Sequence, residues 1–530
     1  MFKEFEKRVG ISYFLFLVSM FLVIMRIANL MLDPRLQSVA TTNSVRTVSI
    51  GMQRGTIFDC NMSPITNSKK KYITLITDIP QASVTLCDYF TSREVQDIMD
   101  SVKNSKLPLV TTYKNITGNG VQSFEFSEHS EETARHLIGY TDQNGQGVSG
   151  LEALFNNILY SDKKAEINFL TDGIGNLIKG DGIEYKYDDS IEKSGVVLTL
   201  DLEIQKICEK AADSLIQGAV VVSEVETGEI KAMVSRPDFD IKNLSEALEN
   251  PCSPLINRAM QTYNVGSGFK PLVSAAAIEC GKKDYLCLCK GYSDIDGQRF
   301  RCHRSTGHDW LDMAGALKHS CNAYFYSLAI EVGNEKIYKM AESAGFNNSV
   351  SFGYGISTKK AQIGDKEWLS RSDRALANLS IGQGELMVSP IGILTLYSAI
   401  AGDGGYYTPS LIKGFVKDNK LVEETPKTEK INLMSKNTAE ILRESLRGVL
   451  DENGTGAIAK PKTVSAAGKT STAETGIVKD GKRVVNTWFC GFFPLEEPKY
   501  VVAVLSENSE EGCGGVFAEI ADSIALNILN

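Results

Sequence analysis

Ser267 and Lys270 stand three residues apart in the string Ser267-Gly268-Phe269-Lys270, a spacing that sets a hydroxyl and an amine on one face of a helix. A serine hydroxyl becomes a useful nucleophile once a neighbouring base takes its proton, and a neutral lysine amine can be that base. Two more strings follow in order, Ser320-Cys321-Asn322 and Lys469-Thr470-Ser471, adding a second hydroxyl, an amide and a second amine. Together they have the composition of a serine acyl-transfer site, with Ser267 as nucleophile. The spacing alone carries little, since it recurs at Ser68, Ser161, Ser190 and Ser357 with no companion motif.

The elements around Ser267 must position it. Val265-Gly266 breaks the chain, Pro271 suits a first helical turn, and Leu272, Val273, Ala276 and Ala277 continue as an apolar face that stops before Gly281. This predicts a helix over 267–279 with Ser267 at its N-terminus, where the helix dipole favours negative charge developing on an oxygen. Further helices are predicted over 321–332, 390–401 and 437–450. Strands are predicted over 218–224 and 229–234, joined at Thr227-Gly228, and over 463–474, 486–493 and 500–506. An antiparallel sheet with flanking helices, an α+β domain, is the expected outcome.

On these motifs the chain resembles the penicillin-binding proteins, which share S-x-x-K, S-x-N and K-T-G elements with the serine β-lactamases. The resemblance runs from Val196 to Asn530 and includes V-L-T-L-D-L-E-I-Q from Val197, G-A-V-V-V-S-E-V-E-T-G-E from Gly218, I-N-R-A from Ile256, I-G-Q-G from Ile381 and W-F-C-G-F-F-P from Trp488. Upstream, R-G-T-I-F-D from Arg54 and G-Y-T-D-Q-N-G-Q-G-V-S-G-L-E ending at Glu152 resemble the monofunctional, class B members. The resemblance implies a peptidoglycan D,D-transpeptidase, a wall builder of elongation, division or spore cortex formation, that β-lactams acylate. It implies that Lys270 is the base and Ser320 relays a proton to the leaving group, while Asn322 holds Lys270 and the substrate amide. Lys469, Thr470, Ser471 and Thr472 form the substrate-binding strand, Lys469 and the two threonines taking the terminal carboxylate, and the N–H groups of Ser267 and Thr472 form an oxyanion hole. Three positions depart from the family pattern near these groups. Gly268 stands where the family has threonine, and Ser471 where it has the glycine of K-T-G, so Ser471 is expected to face and narrow the cleft. Val265 likewise replaces a usual proline.

Five of the eleven cysteines, Cys280, Cys287, Cys289, Cys302 and Cys321, fall between residues 280 and 321. Cys289, Cys302, His308 and Cys321 make a set able to close a tetrahedral zinc shell, and the resemblance implies a structural metal at these positions. Zinc would pin the S-x-N loop to a distant hairpin. A Cys289–Cys302 disulfide and buried free thiols are the competing readings, and Cys287 is an alternative to Cys289. His303 and His319 read as surface or neighbouring residues.

Residues 9–25 carry no charge, and apolar residues resume after Arg26 through Leu32. This reads as one membrane span, and Lys3, Lys7 and Arg8 ahead of it predict a cytoplasmic N-terminus with the rest extracytoplasmic. A cleavable signal peptide is the alternative. The net charge of −9 argues against a nucleic-acid partner, and Lys69-Lys70-Lys71 reads as a solvated turn. The expected organisation is a tail and span over 1–32, a β-rich pedestal over 33–195 and a transpeptidase domain over 196–530. The turn-rich stretch 179–194 marks the boundary, and Arg54, Gly55, Asp59 and Glu152 are structural. No upstream segment resembles a glycosyltransferase, so the resemblance implies a polytopic membrane polymerase as partner; nor is room expected after the last helix for a wall-binding module. A catalytically quiet scaffold and a β-lactam sensor or β-lactamase are the other classes of reading.

Overall fold

The computed structural model describes residues 2–34, 45–105, 107–130, 132–172, 177–178, 182–426, 428–479 and 481–529. Helix α1 (Phe2–Leu32) contains an 18-residue window with a mean hydropathy of 2.3 and is the one helix among the described residues long and apolar enough to cross a membrane. Contacts divide the chain into two compact units that interleave in sequence: Met1–Gln53, Asn67–His129 and Ser161–Asp189 form one, and Arg54–Thr66, Ser130–Tyr160 and Ser190–Asn530 the other. Two stretches from before residue 195 thus pack with the catalytic part. The change of unit at Asp189 and Ser190 falls inside the predicted boundary stretch, of which residues 179–181 lie outside the described residues.

The first unit is β-rich. One three-stranded sheet joins Val45–Arg54, Tyr160–Leu170 and Glu184–Lys186; another joins Leu109–Thr112, Lys69–Ile76 and Val121–Glu128. Ile73, Leu75, Ile167 and Phe169 form a shared core. Lys69, Lys70 and Lys71, expected in a turn, instead open a strand; cross-strand acids explain the difference, Lys71 pairing with Glu128 and Lys70 lying 3.4 Å from Glu125.

In the second unit the sequence folds around buried polar anchors near its start. Arg54 Nε donates to Glu152 Oε2 at 2.6 Å, with Arg54 Nη1 on Gly145 O at 2.6 Å and Asn156 Oδ1 at 2.9 Å. A Cβ on Gly55 would lie 3.0 Å from Ser194 O, and Asp59 Oδ1 accepts from the N–H groups of Asn61 and Ser63. These are structural arrangements, as the sequence suggests for Arg54, Gly55, Asp59 and Glu152.

The main sheet of this unit is five-stranded and wholly antiparallel. Strands β1 (Gly218–Glu224) and β2 (Ile230–Arg236) form the predicted hairpin. The helices follow: α2 (Lys270–Glu279), α3 (Asn322–Val332), α4 (Pro390–Ala401) and α5 (Lys436–Arg447). Strands β3 (Ala467–Lys479), β4 (Lys482–Phe493) and β5 (Tyr500–Ser506), then α6 (Gly514–Ile524), complete the layer in the order β2-β1-β5-β4-β3. β3 therefore lies at an edge. It runs beyond the predicted end at 474 because its ladder with β4 resumes at Val478 and Lys479 after a register shift.

Helix α4 is buried along its entire length against β4 and β5. That explains a sequence apolar on every side, with Ser389 capping its start by accepting from Gly392 N. Helix α5 stops at Arg447 and tightens into a 3-10 turn over Gly448–Leu450, the last turn of the predicted helix. The observed α+β layering agrees with the expectation from sequence.

Candidate active site

Ser267 lies in a 3-10 turn, Gly266–Phe269, that runs into α2 at Lys270. The predicted helix starts later than expected as an α-helix, and the tighter turn serves the site: three residues per turn bring positions 267 and 270 into line. Gly266 must be glycine here, with φ +59 and space so restricted that a Cβ would lie 2.5 Å from Ser471 Oγ.

The three motifs meet. Ser320 Oγ donates to Ser267 Oγ at 3.0 Å, and Lys270 Nζ lies 3.2 Å from Ser320 Oγ. Lys270 also donates to Ser320 O at 2.7 Å and to Asn322 Oδ1 at 2.7 Å. The amine thus reaches Ser267 through Ser320, whereas the spacing from sequence pointed to direct contact. Ser320 holds a left-handed φ of +53, a strained conformation for a serine that turns its main chain toward Lys270. Asn322 opens α3, with Cys321 at its N-cap.

Lys270 is completely buried, and desolvation pushes its pKa down to about 7, against the opposing influence of Cys321 and Cys302. Lys469, also completely buried, is held well below the usual lysine range by desolvation and by the charge of Lys270. It donates to Thr470 O at 3.0 Å. Thr470 and Thr472 line a cleft of about 400 Å³ together with Ser267, Ser320 and Asn322. A second cleft, about 510 Å³, opens on Ser267, Asn322, Thr472 and Glu474. Ser267 therefore faces room on two sides.

Ser471 also lines the first of these clefts, as expected, with its hydroxyl turned to a main-chain partner. Its side chain is 5% exposed, and its hydroxyl donates to Val265 O at 2.5 Å beneath the nucleophile turn. Several supports carry no role in the sequence reading. Trp488 Nε1 donates to Asn264 O at 3.0 Å, Tyr397 Oη to Gly268 O at 3.1 Å, and Gly266 N to Gly382 O at 2.8 Å. A Cβ on Gly382 would lie 1.9 Å from Gly266 O, which gives I-G-Q-G and W-F-C-G-F-F-P physical reasons. Thr455 Oγ1, 3.0 Å from Thr470 Oγ1, is a further neighbour the motifs do not signal.

Cys289, Cys302, His308 and Cys321 gather beside the S-x-N loop, their ligand atoms all within 4.8 Å of one another. Cys302 Sγ is 3.9 Å from Cys321 Sγ, and His308 Nδ1 is 3.5 Å from Cys289 Sγ and 3.7 Å from Cys302 Sγ. The cysteines are free thiols rather than a Cys289–Cys302 disulfide, and half-buried Cys287 stands outside the group. His303 is exposed and lines the smaller cleft.

Residues 218–528 match the penicillin binding protein transpeptidase domain. Stage V sporulation protein D of Bacillus subtilis is 31% identical over 397 residues, covering 70% of this chain and 58% of that protein. Peptidoglycan D,D-transpeptidase MrdA of Acinetobacter baumannii is 26% identical over 419 residues, covering 73% of this chain and 60% of that protein. The chain thus spans about three fifths of the length of these curated relatives. The ceftriaxone acyl-enzyme structure of penicillin-binding protein A from M. tuberculosis superposes with a TM-score of 0.57 at 26% identity, covering 64% of this chain and 80% of that one. With motifs converging on one cleft and a domain match over more than half its length, the chain belongs to the penicillin-binding protein transpeptidase family, in its class B branch.

Proposed function

We propose that this protein is a peptidoglycan D,D-transpeptidase that crosslinks stem peptides through an ester on Ser267 and is acylated there by β-lactams. The connected path from Ser267 through Ser320 to Lys270 carries the reading. Neutral Lys270 has two N–H bonds to give, and Ser320 O and Asn322 Oδ1 accept them, leaving its lone pair to Ser320 Oγ. The Ser320 hydroxyl turns its hydrogen from Ser267 to Lys270 Nζ; Ser267 then passes its proton to Ser320, and Ser320 passes its own to Lys270. Ser267 Oγ attacks the penultimate D-alanine carbonyl, the bond to the terminal D-alanine nitrogen breaks, and the proton returns by the same path to the leaving amine. An amine of a neighbouring strand attacks the ester, forms the crosslink and restores Ser267.

The N–H groups of Ser267 and Thr472 serve as the oxyanion hole. Lys469, Thr470 and Thr472 receive the substrate carboxylate; Ser471 stands between them in the strand. Asn322, oriented by Lys270, presents its amide nitrogen to the substrate. The ceftriaxone adduct of the mycobacterial relative supports extending acylation to this site.

Cys289, Cys302, His308 and Cys321 would hold a structural zinc ion. The fit is good: Zn–S bonds of about 2.3 Å in a tetrahedron place sulfurs about 3.8 Å apart, and Cys302 and Cys321 lie at 3.9 Å. When bound, the ion supplies a crosslink between the S-x-N loop and the hairpin of Cys287–Cys289 and Asp309–Leu311. Helix α1 anchors the chain in the membrane, with Lys3, Lys7 and Arg8 on the cytoplasmic side and the catalytic unit outside. Within residues 33–195, the stretches 33–53, 67–129 and 161–189 of the first unit act as a pedestal, and a polytopic glycosyltransferase supplies the sugar strands.

Mass spectrometry after penicillin treatment tests the reading. A stable adduct on Ser267, together with wall crosslinking by the wild type and none by Ser267→Ala, is expected. Rapid turnover of the drug points instead to a β-lactamase, an adduct without crosslinking to a sensor, and absence of any adduct to a scaffold.

A further inference from the structure

We propose that Ser471 is a positioning residue, whose hydroxyl fixes the turn carrying Ser267 against the carboxylate-binding strand, and that Gly268 is the space that lets it do so. The inference rests on the acyl-transfer reading and deepens it.

Ser471 is separated from Val265 by 206 residues yet donates to its carbonyl at 2.5 Å in a buried setting. Val265 is itself 1% exposed and caps the 3-10 turn, so the hydroxyl holds, away from water, the carbonyl from which that turn starts. The next residue, Gly266, has its left-handed φ of +59 under that hydroxyl, and Ser267 follows. The strand partner of Ser471 is Trp488, whose Nε1 holds Asn264 O. Adjacent carbonyls at 264 and 265 are thus tied to neighbouring strands by two side chains at one register position. A displacement of Val265 would move Ser267 relative to Ser320 Oγ, now 3.0 Å away.

Gly268 completes the arrangement. A Cβ there would lie 3.2 Å from Val265 Cγ1 and 3.9 Å from the Cβ of Ser471, so the branch atoms of a threonine would enter the space between strand and turn. Two of the three departures from the family pattern are one exchange: bulk removed at 268, a hydroxyl added at 471. Ser471 lines the cleft, as the sequence reading expects, and its hydroxyl partner across the turn is what that reading does not supply.

The test uses the full chain in detergent and a fluorescent penicillin. Stopped-flow kinetics separates the dissociation constant of the initial complex from the acylation rate. Ser471→Ala is expected to slow acylation about ten- to a hundred-fold, the cost of misplacing a reacting atom by up to about 1 Å, with the dissociation constant changing less than about threefold. Gly268→Thr should also slow acylation, and Gly268→Thr with Ser471→Gly should recover at least about tenfold over the product of the single effects, because neighbours sharing one space are not additive. Hydrogen exchange at the amides of residues 265–269 should quicken in Ser471→Ala. An unchanged acylation rate with a weakened initial complex would make Ser471 a substrate contact and overturn the proposal, as would independent single effects. Failure of wild type to acylate would reject the functional reading separately, and exchange at residues 265–269 would then decide the clamp, unchanged protection in Ser471→Ala refuting it.

Discussion

Lys270 and Lys469 are two fully buried lysines, and the charge of Lys270 helps to hold the second amine below its usual protonation range. Two ammonium groups so close in an interior are costly, which favours at least one neutral amine at the pH of growth.

The first expectation is a pH-rate profile. Desolvation brings Lys270 to about 7, so below that pH the amine is mostly protonated and has no lone pair for Ser320. Acylation should climb tenfold per pH unit on the acid side, bend near pH 7 and level off above it. Lys270→Arg should remain inactive throughout, because a guanidinium keeps its proton. A rate that stays flat from acid to alkaline pH would remove Lys270 as base.

Ser320 offers a separation of function from stability. Its φ of +53 costs roughly 1 kcal/mol or more for a residue with a Cβ, and glycine adopts it freely. Ser320→Gly should therefore match or exceed the wild-type melting temperature while acylation falls about 10²- to 10⁴-fold through loss of the relay. Near-normal acylation would show that the proton passes directly from Ser267 to Lys270.

Much of this site was legible because each motif keeps its chemistry within a few residues. Ser267, Ser320, Asn322 and Lys469 were named from local strings, and β-rich runs bounded by turn residues placed β1, β4 and β5. The supports were not legible, since Ser471 to Val265, Tyr397 to Gly268 and Gly382 to Gly266 are contacts between residues more than a hundred positions apart. A single chain's spacing does not reveal which distant carbonyl a hydroxyl will find. The Lys69-Lys70-Lys71 strand was missed for the same reason: Glu125 and Glu128, which stabilise it, lie over fifty residues away.

Metal content gives a third expectation. Four converging ligand atoms within 4.8 Å should bind one zinc per chain in elemental analysis of protein purified without chelators. Stripping it should lower the melting temperature and slow acylation, because the S-x-N loop loses its tie to the hairpin, and adding zinc back should restore both. Cys302→Ser should mimic the stripped protein. A preparation with no zinc and a Cys289–Cys302 disulfide by mass spectrometry would reverse this assignment.

The buried pair of Arg54 and Glu152 provides a test of stability far from the nucleophile. The side chains are 2% and 0% exposed, and Arg54 spreads its donors over Glu152, Gly145 and Asn156. Arg54→Met leaves a carboxylate buried beside a methionine and should cost about 3–5 kcal/mol in unfolding of the catalytic unit. Arg54→Met with Glu152→Met removes both charges, so it should recover much of that loss, because neither partner then suffers desolvation alone. Acylation per folded molecule should stay close to wild type in both variants, as these residues hold the fold and not the substrate. A double variant less stable than the single would mean that the lone Glu152 carboxylate carries no desolvation cost there, and chemical denaturation followed by tryptophan fluorescence would measure the difference.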